Sequence, residues 1–152
     1  MKKVQLYTDG GCRGNGVADH ALGAYAGILI YPAKGVKKEY SQACPDTTNN
    51  RMEMMAVITG LSMLKEPCEV SVYSDSAYVV NAYHQHWVDS WKKKGWSRGK
   101  QGELKNRALW MELDALVQKH QVTFIKVKGH ADDPLNNRAD ELVNQAMDAY
   151  EK

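Results

Sequence analysis

Residues 3–16 read KVQLYTDGGCRGNG, and the interpretation of the whole chain starts from this stretch. Its first half alternates apolar residues with polar or aromatic ones, which is the period-2 pattern of a β-strand. The glycines at positions 10, 11, 14 and 16 predict that the chain turns directly after Asp9. A single aspartate at such a strand end ordinarily accepts a backbone N–H in the turn. A functional role for Asp9 therefore depends on whether other carboxylates converge on it.

The rest of the chain predicts a single domain, residues 1–152, of the α/β class. Two strands at 22–31 and 36–44 follow the first through short turns, which predicts a three-strand antiparallel meander. Strands and helices then alternate, which implies two parallel strands with right-handed crossovers in one mixed five-stranded sheet flanked by helices. The later predicted elements are a loop at 44–50, strands at 69–73 and 122–127, and helices at 51–65, 77–84, 86–94, 104–120 and 136–149.

Composition narrows the class of protein. The 43% of hydrophobic residues can form a core, and the apolar runs are too short to span a bilayer, so no membrane association is expected. The N-terminus has no apolar stretch of signal-peptide length, which favours a cytoplasmic protein. The start at Met1 and the compact length favour a free-standing monomer.

Positive charge is concentrated in one segment. Residues 92–107 hold seven basic residues and one acid, a net charge of +6, although the whole chain carries only +2. Such a segment on an otherwise acidic body indicates contact with a polyanion, and a solvated lysine-rich helix end is the alternative. Trp87, Trp91 and Trp96 interleave with these lysines, as in surfaces that bind nucleic acid. Trp110 is expected to pack in the core, and for Trp87 both packing and exposure stay open.

Four carboxylates could converge on one site. Asp9 and Asp75 both follow strands, and the carboxyl ends of parallel neighbours lie only about 5 Å apart. Glu53 and Asp140 lie on helical faces that are otherwise apolar, where an acid is costly unless it is paired or binds a cation. Taken alone, an acid at either helix position is more often a partly exposed residue at the border of the apolar face than a functional one.

Together these acids predict a metal site. Clustered carboxylates raise one another's pKa, and divalent cations remove that penalty. All-oxygen ligands select hard ions, Mg²⁺ or alternatively Mn²⁺. Two such ions about 3.5–4 Å apart would suit phosphoryl transfer. His130, in a loop between the last strand and the last helix, is either a surface histidine or a proton carrier for that reaction.

Six motifs in order make the chain similar to a known family. They are TDGG at 8–11, TTNNRMEM at 47–54, SDSAY at 74–78, KKKGW at 92–96, KGHA at 128–131 and NNRADEL at 136–142. This set resembles type 1 ribonuclease H of the bacterial kind over nearly the whole chain. The resemblance implies that Asp9, Glu53, Asp75 and Asp140 bind Mg²⁺, that His130 assists catalysis, and that the RNA strand of an RNA–DNA hybrid is cleaved to 5′-phosphate and 3′-hydroxyl ends.

The resemblance also assigns contacts to the hybrid. Residues 86–103 are similar to the family's basic protrusion, which implies that Lys92, Lys93 and Lys94 contact phosphates. The same likeness places Trp91 against the DNA strand and gives Thr48 and Asn106 one of its phosphates. It places Cys12, Asn15 and Asn49 at the RNA strand, where 2′-hydroxyl groups distinguish RNA from DNA.

Three departures from the family pattern affect fine substrate contacts. The stretch after Asp9 is longer than the family's compact form, Ala77 stands where a glutamine is common, and Asn137 stands where an acid is common. Two rival functions remain: a non-catalytic nucleic-acid-binding module on the same fold, and a related DNA nuclease. The complete set of four acids argues against the first, and the absence of room for an extra domain argues against the second.

Overall fold

The sheet has the predicted mixed topology. The computed structural model describes residues 1–14, 21–128 and 133–152, and within these ranges it forms one five-stranded sheet in the order β3-β2-β1-β4-β5. β1 pairs with β2 and β2 with β3 in antiparallel fashion, whereas β1–β4 and β4–β5 are parallel. The fold class predicted from the sequence is therefore confirmed. The strands are β1 Lys2–Arg13, β2 Ala21–Tyr31, β3 Val36–Thr47, β4 Cys68–Ser74 and β5 Gln121–Lys126.

Helices cover both faces of the sheet. The described helices are α1 Asn49–Ser62, α2 Ala77–His84, α3 Trp87–Lys93, α4 Arg107–Lys119 and α5 Pro134–Glu151. The larger apolar core joins β1, β4 and β5 to α1, α2 and α4, and Trp110 at its centre is fully buried, as predicted. A smaller core packs α5 against β2 through Ile28, Val143 and Met147. Within the described ranges, no helix combines the length and the apolarity needed to span a membrane.

The predicted turn after Asp9 is wrong. β1 continues through Gly10 and Gly11 to Arg13, because β2 supplies antiparallel partners as far as the Arg13–Leu22 pair. The parallel pairing with β4 stops earlier, at Tyr7 and Tyr73. Asp9 therefore lies within a strand, but beyond the point where β4 separates from it. The parallel pairing of β1 and β4 therefore ends where the site was expected, although β1 itself continues past that point.

Gly10 serves close packing rather than a turn. A Cβ atom at Gly10 would lie 2.5 Å from the carbonyl carbon of Met52 and 2.6 Å from the backbone nitrogen of Glu53. Helix α1 can therefore cross β1 at this distance only because the strand residue has no side chain. This close approach brings the second turn of α1, and with it Glu53, beside Asp9.

We expect Gly10→Ala to lower the free energy of unfolding by about 1–3 kcal/mol or more, because the new methyl group meets backbone atoms that cannot rotate away. Gly11→Ala is the matched control, since its Cβ would have Val143 Cγ1 at 3.8 Å as its nearest neighbour, an ordinary contact. Urea unfolding of both variants measures the difference. Equal stability of the two variants would contradict the packing role of Gly10.

Several predicted element boundaries also shift. β3 continues to Thr47 through residues predicted as a loop, with an irregular register between the Gly23–Cys44 and Ala21–Thr47 pairs. Pro45 is tolerated there because β3 is an edge strand. Helix α1 begins two residues earlier than predicted, because the Thr48 side chain caps it by accepting the N–H of Arg51 at 3.2 Å. It ends at Ser62 rather than at residue 65.

Candidate active site

Three of the predicted acids meet at one edge of the sheet. Carboxylate oxygens of Asp9, Glu53 and Asp75 all lie within 4.8 Å of one another. Asp9 comes from β1, Asp75 is the first residue after β4, and Glu53 comes from the turn of α1 that Gly10 admits. These spacings allow a single hard cation to bind oxygens from all three residues.

The fourth acid borders the same space from the opposite side. Asp140, half-buried on α5, lines a cavity of about 290 Å³ together with Asp9 and Asp75. Its carboxylate adds to the rise in the pKa of Asp9, after burial and Asp75. Cys12 on β1 and Asn136 on α5 also border this cavity. The cavity thus has carboxylates on two walls and room for more than one small ion.

Burial and the neighbouring carboxylates raise the pKa of Asp9 and of Glu53. Burial is the main cause of the rise in the pKa of Asp9 to about 7, and the neighbouring carboxylate of Asp75 adds to it. The pKa of Glu53 is raised well above its usual range, first by burial and then by Asp9 and Asp75. The Gly10 backbone opposes both shifts only in part. Without a cation, the site is therefore costly to ionise fully at neutral pH.

The donor set fits a hard divalent cation. Glu53 Oε1 is buried and has no hydrogen-bond partner among the described residues. A buried carboxylate oxygen without a partner is unusual, because its desolvation is uncompensated. The ligand atoms available at this point are oxygens, which favour Mg²⁺- or Mn²⁺-type ions over zinc. A cation bound here would satisfy Glu53 and lower the repulsion within the group.

Two helix N-termini lie beside each other near the acids. Thr48 caps α1, and Asn106, at a left-handed φ of 59°, precedes α4. Asn106 Nδ2 donates to the Tyr78 hydroxyl at 3.1 Å, and Arg51 Nη1 donates to Asn106 Oδ1 at 3.5 Å. Arg51 thus connects the two predicted phosphate-binding residues. Helix N-termini with a cation between them favour an anion.

The predicted RNA-side residues are only partly described. Cys12 is half-buried, and its Sγ packs over Gly23, where a Cβ atom would lie only 2.8 Å away. Asn49 is exposed at the start of α1. Asn15 and His130 lie outside the described residues, so their predicted roles stay predictions.

The predicted basic protrusion, residues 86–103, begins with the short helix α3. In α3, Val88 is buried, and Trp91 is half-buried with its ring centroid 5.2 Å from that of Trp110. Lys93 and Lys94 are exposed, and Trp87 is 44% exposed, which favours exposure over packing at that position. Lys92 forms an ion pair with Asp114 on α4. The segment therefore projects both lysines and an indole from a helix anchored on the core.

Comparison with known proteins decides the family. A family model described as RNase H matches residues 1–148. This chain belongs to the ribonuclease H family. The ribonuclease H of Clostridium botulinum strain Hall is 54% identical over 150 residues, which cover 99% of each chain.

Solved ribonucleases H share the architecture. LC9-RNase H1, a type 1 RNase H with the type 2 active-site motif, has 31% identity and a TM-score of 0.87 over 98% of this chain and 74% of that chain. LC11-RNase H1 in complex with an RNA/DNA hybrid has 24% identity and a TM-score of 0.69, over 98% of this chain and 99% of the other. The second likeness shows the shared fold. The family resemblance carried by the six sequence motifs is confirmed.

Two arginines near the ribonuclease H site were not predicted. Arg51, which connects Thr48 and Asn106, stands within TTNNRMEM, and its place just after a helix cap was the available signal. Arg13 borders the acidic cavity and forms ion pairs with Asp148 at 2.7 Å and Glu151 at 3.2 Å. No local pattern predicts these pairs, because β1 and the end of α5 are far apart in the sequence.

Proposed function

We propose that this chain is an endonuclease that hydrolyses the RNA strand of RNA–DNA hybrids. Two Mg²⁺ ions, or alternatively Mn²⁺, would be held by Asp9, Glu53, Asp75 and Asp140. The products are 5′-phosphate and 3′-hydroxyl ends. The observation that carries the proposal is the convergence of three carboxylates within 4.8 Å in a member of the ribonuclease H family.

The chain's own groups have distinct roles in this reaction. When bound, two hard cations activate a water molecule and stabilise the leaving oxygen of an in-line displacement. The four carboxylates would hold these ions, and the short distance between β1 and α1 at Gly10 keeps Glu53 beside Asp9. The attacking water gives up a proton as its oxygen bonds to phosphorus, and the bond between phosphorus and the 3′-oxygen breaks, so that the 3′-oxygen leaves and takes up a proton. His130, which lies outside the described residues, is proposed to carry a proton to or from the reacting phosphate.

The hybrid is proposed to lie across the acidic edge and the basic segment. Thr48, Arg51 and Asn106 surround a place suited to one DNA phosphate, since two helix N-termini and a guanidinium meet there. Cys12, which borders the acidic cavity, and Asn49, exposed at the start of α1, are proposed to contact the RNA strand. The exposed lysines of the basic segment would contact phosphates farther along the duplex. LC11-RNase H1, which shares the fold, was solved with such a hybrid bound.

A comparison of substrates tests the function. Purified protein is incubated with one sequence as an RNA–DNA hybrid, as duplex RNA and as duplex DNA, in Mg²⁺, in Mn²⁺ and in chelator. We expect cleavage of the hybrid's RNA strand alone, dependent on the metal, with 5′-phosphate ends. Hybrid binding without cleavage under any metal would support the non-catalytic module, and cleavage of duplex DNA would support a DNA nuclease.

Two further properties are proposed from the sequence. We expect a monomer, which light scattering of the protein at micromolar concentration would test. A cytoplasmic location is the second, and cell fractionation would test it.

A further inference from the structure

One of the three consecutive lysines in the basic segment is tied to the protein itself. Lys92 Nζ lies 2.9 Å from Asp114 Oδ2 on α4. The Asp114 side chain is 6% exposed, whereas that of Lys92 is 37% exposed. The ammonium group therefore reaches inward to a buried carboxylate. A lysine that satisfies a buried acid is poorly placed to neutralise a phosphate of a bound duplex at the same time.

Asp114 holds a second helix as well. Its Oδ1 accepts the Tyr83 hydroxyl of α2 at 3.2 Å, and Gln118 Nε2 lies 3.5 Å from the same oxygen. A buried carboxylate is stable only when charge and hydrogen bonds compensate its desolvation. Lys92 supplies the charge, and Tyr83 and Gln118 supply further donors. The acid thus joins α2, α3 and α4 at one point.

The ion pair holds the Lys92 side of α3 against α4. The helix has only seven residues, and Val88 and Trp91 are its apolar contacts with the core. Successive helical residues are turned by about 100°, so an inward Lys92 directs Lys93 and the capping Lys94 away from the core. Both are exposed, and the structure shows no ion pair for either with any residue of the described ranges. If the tie is lost, the apolar contacts alone leave the rotation less defined.

We infer that Asp114 and Lys92 form a positioning pair that orients α3, and that Lys93 and Lys94 present the charge that meets the hybrid's phosphates. Lys92 contributes to binding through the orientation of its neighbours and not as a phosphate contact. The inference rests on the proposed function, because it names the residues that act in hybrid binding. It reduces the predicted phosphate contacts of the three lysines from three to two.

The sign of the effect of Asp114→Asn tests the pair. Removing a negative charge near a polyanion site should tighten binding if only overall electrostatics matter. The positioning role gives the opposite result, with weaker hybrid binding and a KM raised about 3- to 10-fold at unchanged kcat. Glu112→Gln, on the exposed side of the same helix, is the matched control and should bind as well as the wild type or better.

A double-mutant cycle separates orientation from direct contact. Hybrid affinity is measured in chelator over a series of salt concentrations for Lys92→Met, Asp114→Asn and the double variant, with Lys93→Met as reference. Lys93→Met should reduce the salt slope by about 0.9, the value for one phosphate contact. Lys92→Met should add nothing in the Asp114→Asn background, because each variant breaks the same tie. Melting curves test whether each variant is folded. If Asp114→Asn does not fold, Lys92→Met is used alone, because it breaks the same ion pair and keeps most of the aliphatic stem.

The outcomes distinguish this inference from the proposed function. If the wild type binds the hybrid and Asp114→Asn binds it equally well or more tightly, the positioning pair is overturned and the nuclease proposal stays intact. A further slope loss of about 0.9 from Lys92→Met in the double variant would do the same, because it would reveal a direct phosphate contact. A wild-type protein that does not bind the hybrid would overturn both proposals.

Discussion

Asp9→Asn is expected to reduce the rate of hybrid cleavage by about 10³-fold or more, because it removes a shared oxygen ligand from the centre of the acidic group. Asp9 lies within 4.8 Å of Glu53 and Asp75 and lines the same cavity as Asp140, so it is central among the described acids. An amide offers one neutral oxygen in place of a charged carboxylate, which weakens cation binding. Initial rates of RNA cleavage at saturating Mg²⁺ measure the effect.

Hybrid binding by Asp9→Asn distinguishes the loss of a metal ligand from damage to the fold. Most of the hybrid's proposed contacts lie at α1, α3 and α4 rather than at the Asp9 carboxylate, so affinity in chelator should stay within about twofold of wild type. Glu112→Gln makes the same chemical change on an exposed surface and should cleave normally. Full cleavage by Asp9→Asn, or an equal rate loss in Glu112→Gln, would contradict the proposed centre.

Stability of the metal-free protein is expected to depend on pH through Asp9. The pKa of Asp9 is about 7 in the fold, against 3.8 for an ordinary aspartate. Between these pH values the folded state holds a proton that the unfolded state has released. Each rise of one pH unit therefore lowers the free energy of unfolding by about 1.4 kcal/mol. The stabilisation is complete below pH about 4 and is lost as the pH rises to about 7.

The comparison with Asp9→Asn isolates this contribution. In chelator, the wild type should lose about 2–4 kcal/mol relative to the variant between pH 4 and pH 8, because the amide does not ionise. Urea unfolding at a series of pH values measures the difference, with Glu112→Gln expected to follow the wild-type curve. Saturating Mg²⁺ should stabilise the wild type more than the variant, since the ion binds the folded carboxylates. Curves for wild type and Asp9→Asn that stay parallel in chelator would contradict the raised pKa of Asp9 in the folded protein.

Much of the site could be inferred from residues alone. Asp9 and Asp75 follow recognisable strand patterns, and Glu53 stands out because an acid on an apolar helical face needs a partner. Those signals are local, so periodicity and residue chemistry predicted both the sheet and the acids that meet at its edge. The charge concentrated in residues 92–107 was equally visible, because it requires only a count along the chain.

Other features depend on contacts between distant segments. The glycines after Asp9 carry a turn signal, yet β1 continues because β2 satisfies its backbone and because α1 needs the space that Gly10 leaves. Arg51 joins Thr48 to Asn106 only once two helix N-termini lie side by side. No pattern within three consecutive lysines indicates that Lys92 turns inward to Asp114. Local sequence thus specified the chemical groups, whereas their use depends on backbone pairing, helix crossing and the cost of burying an unpaired charge, which exist only after distant residues meet.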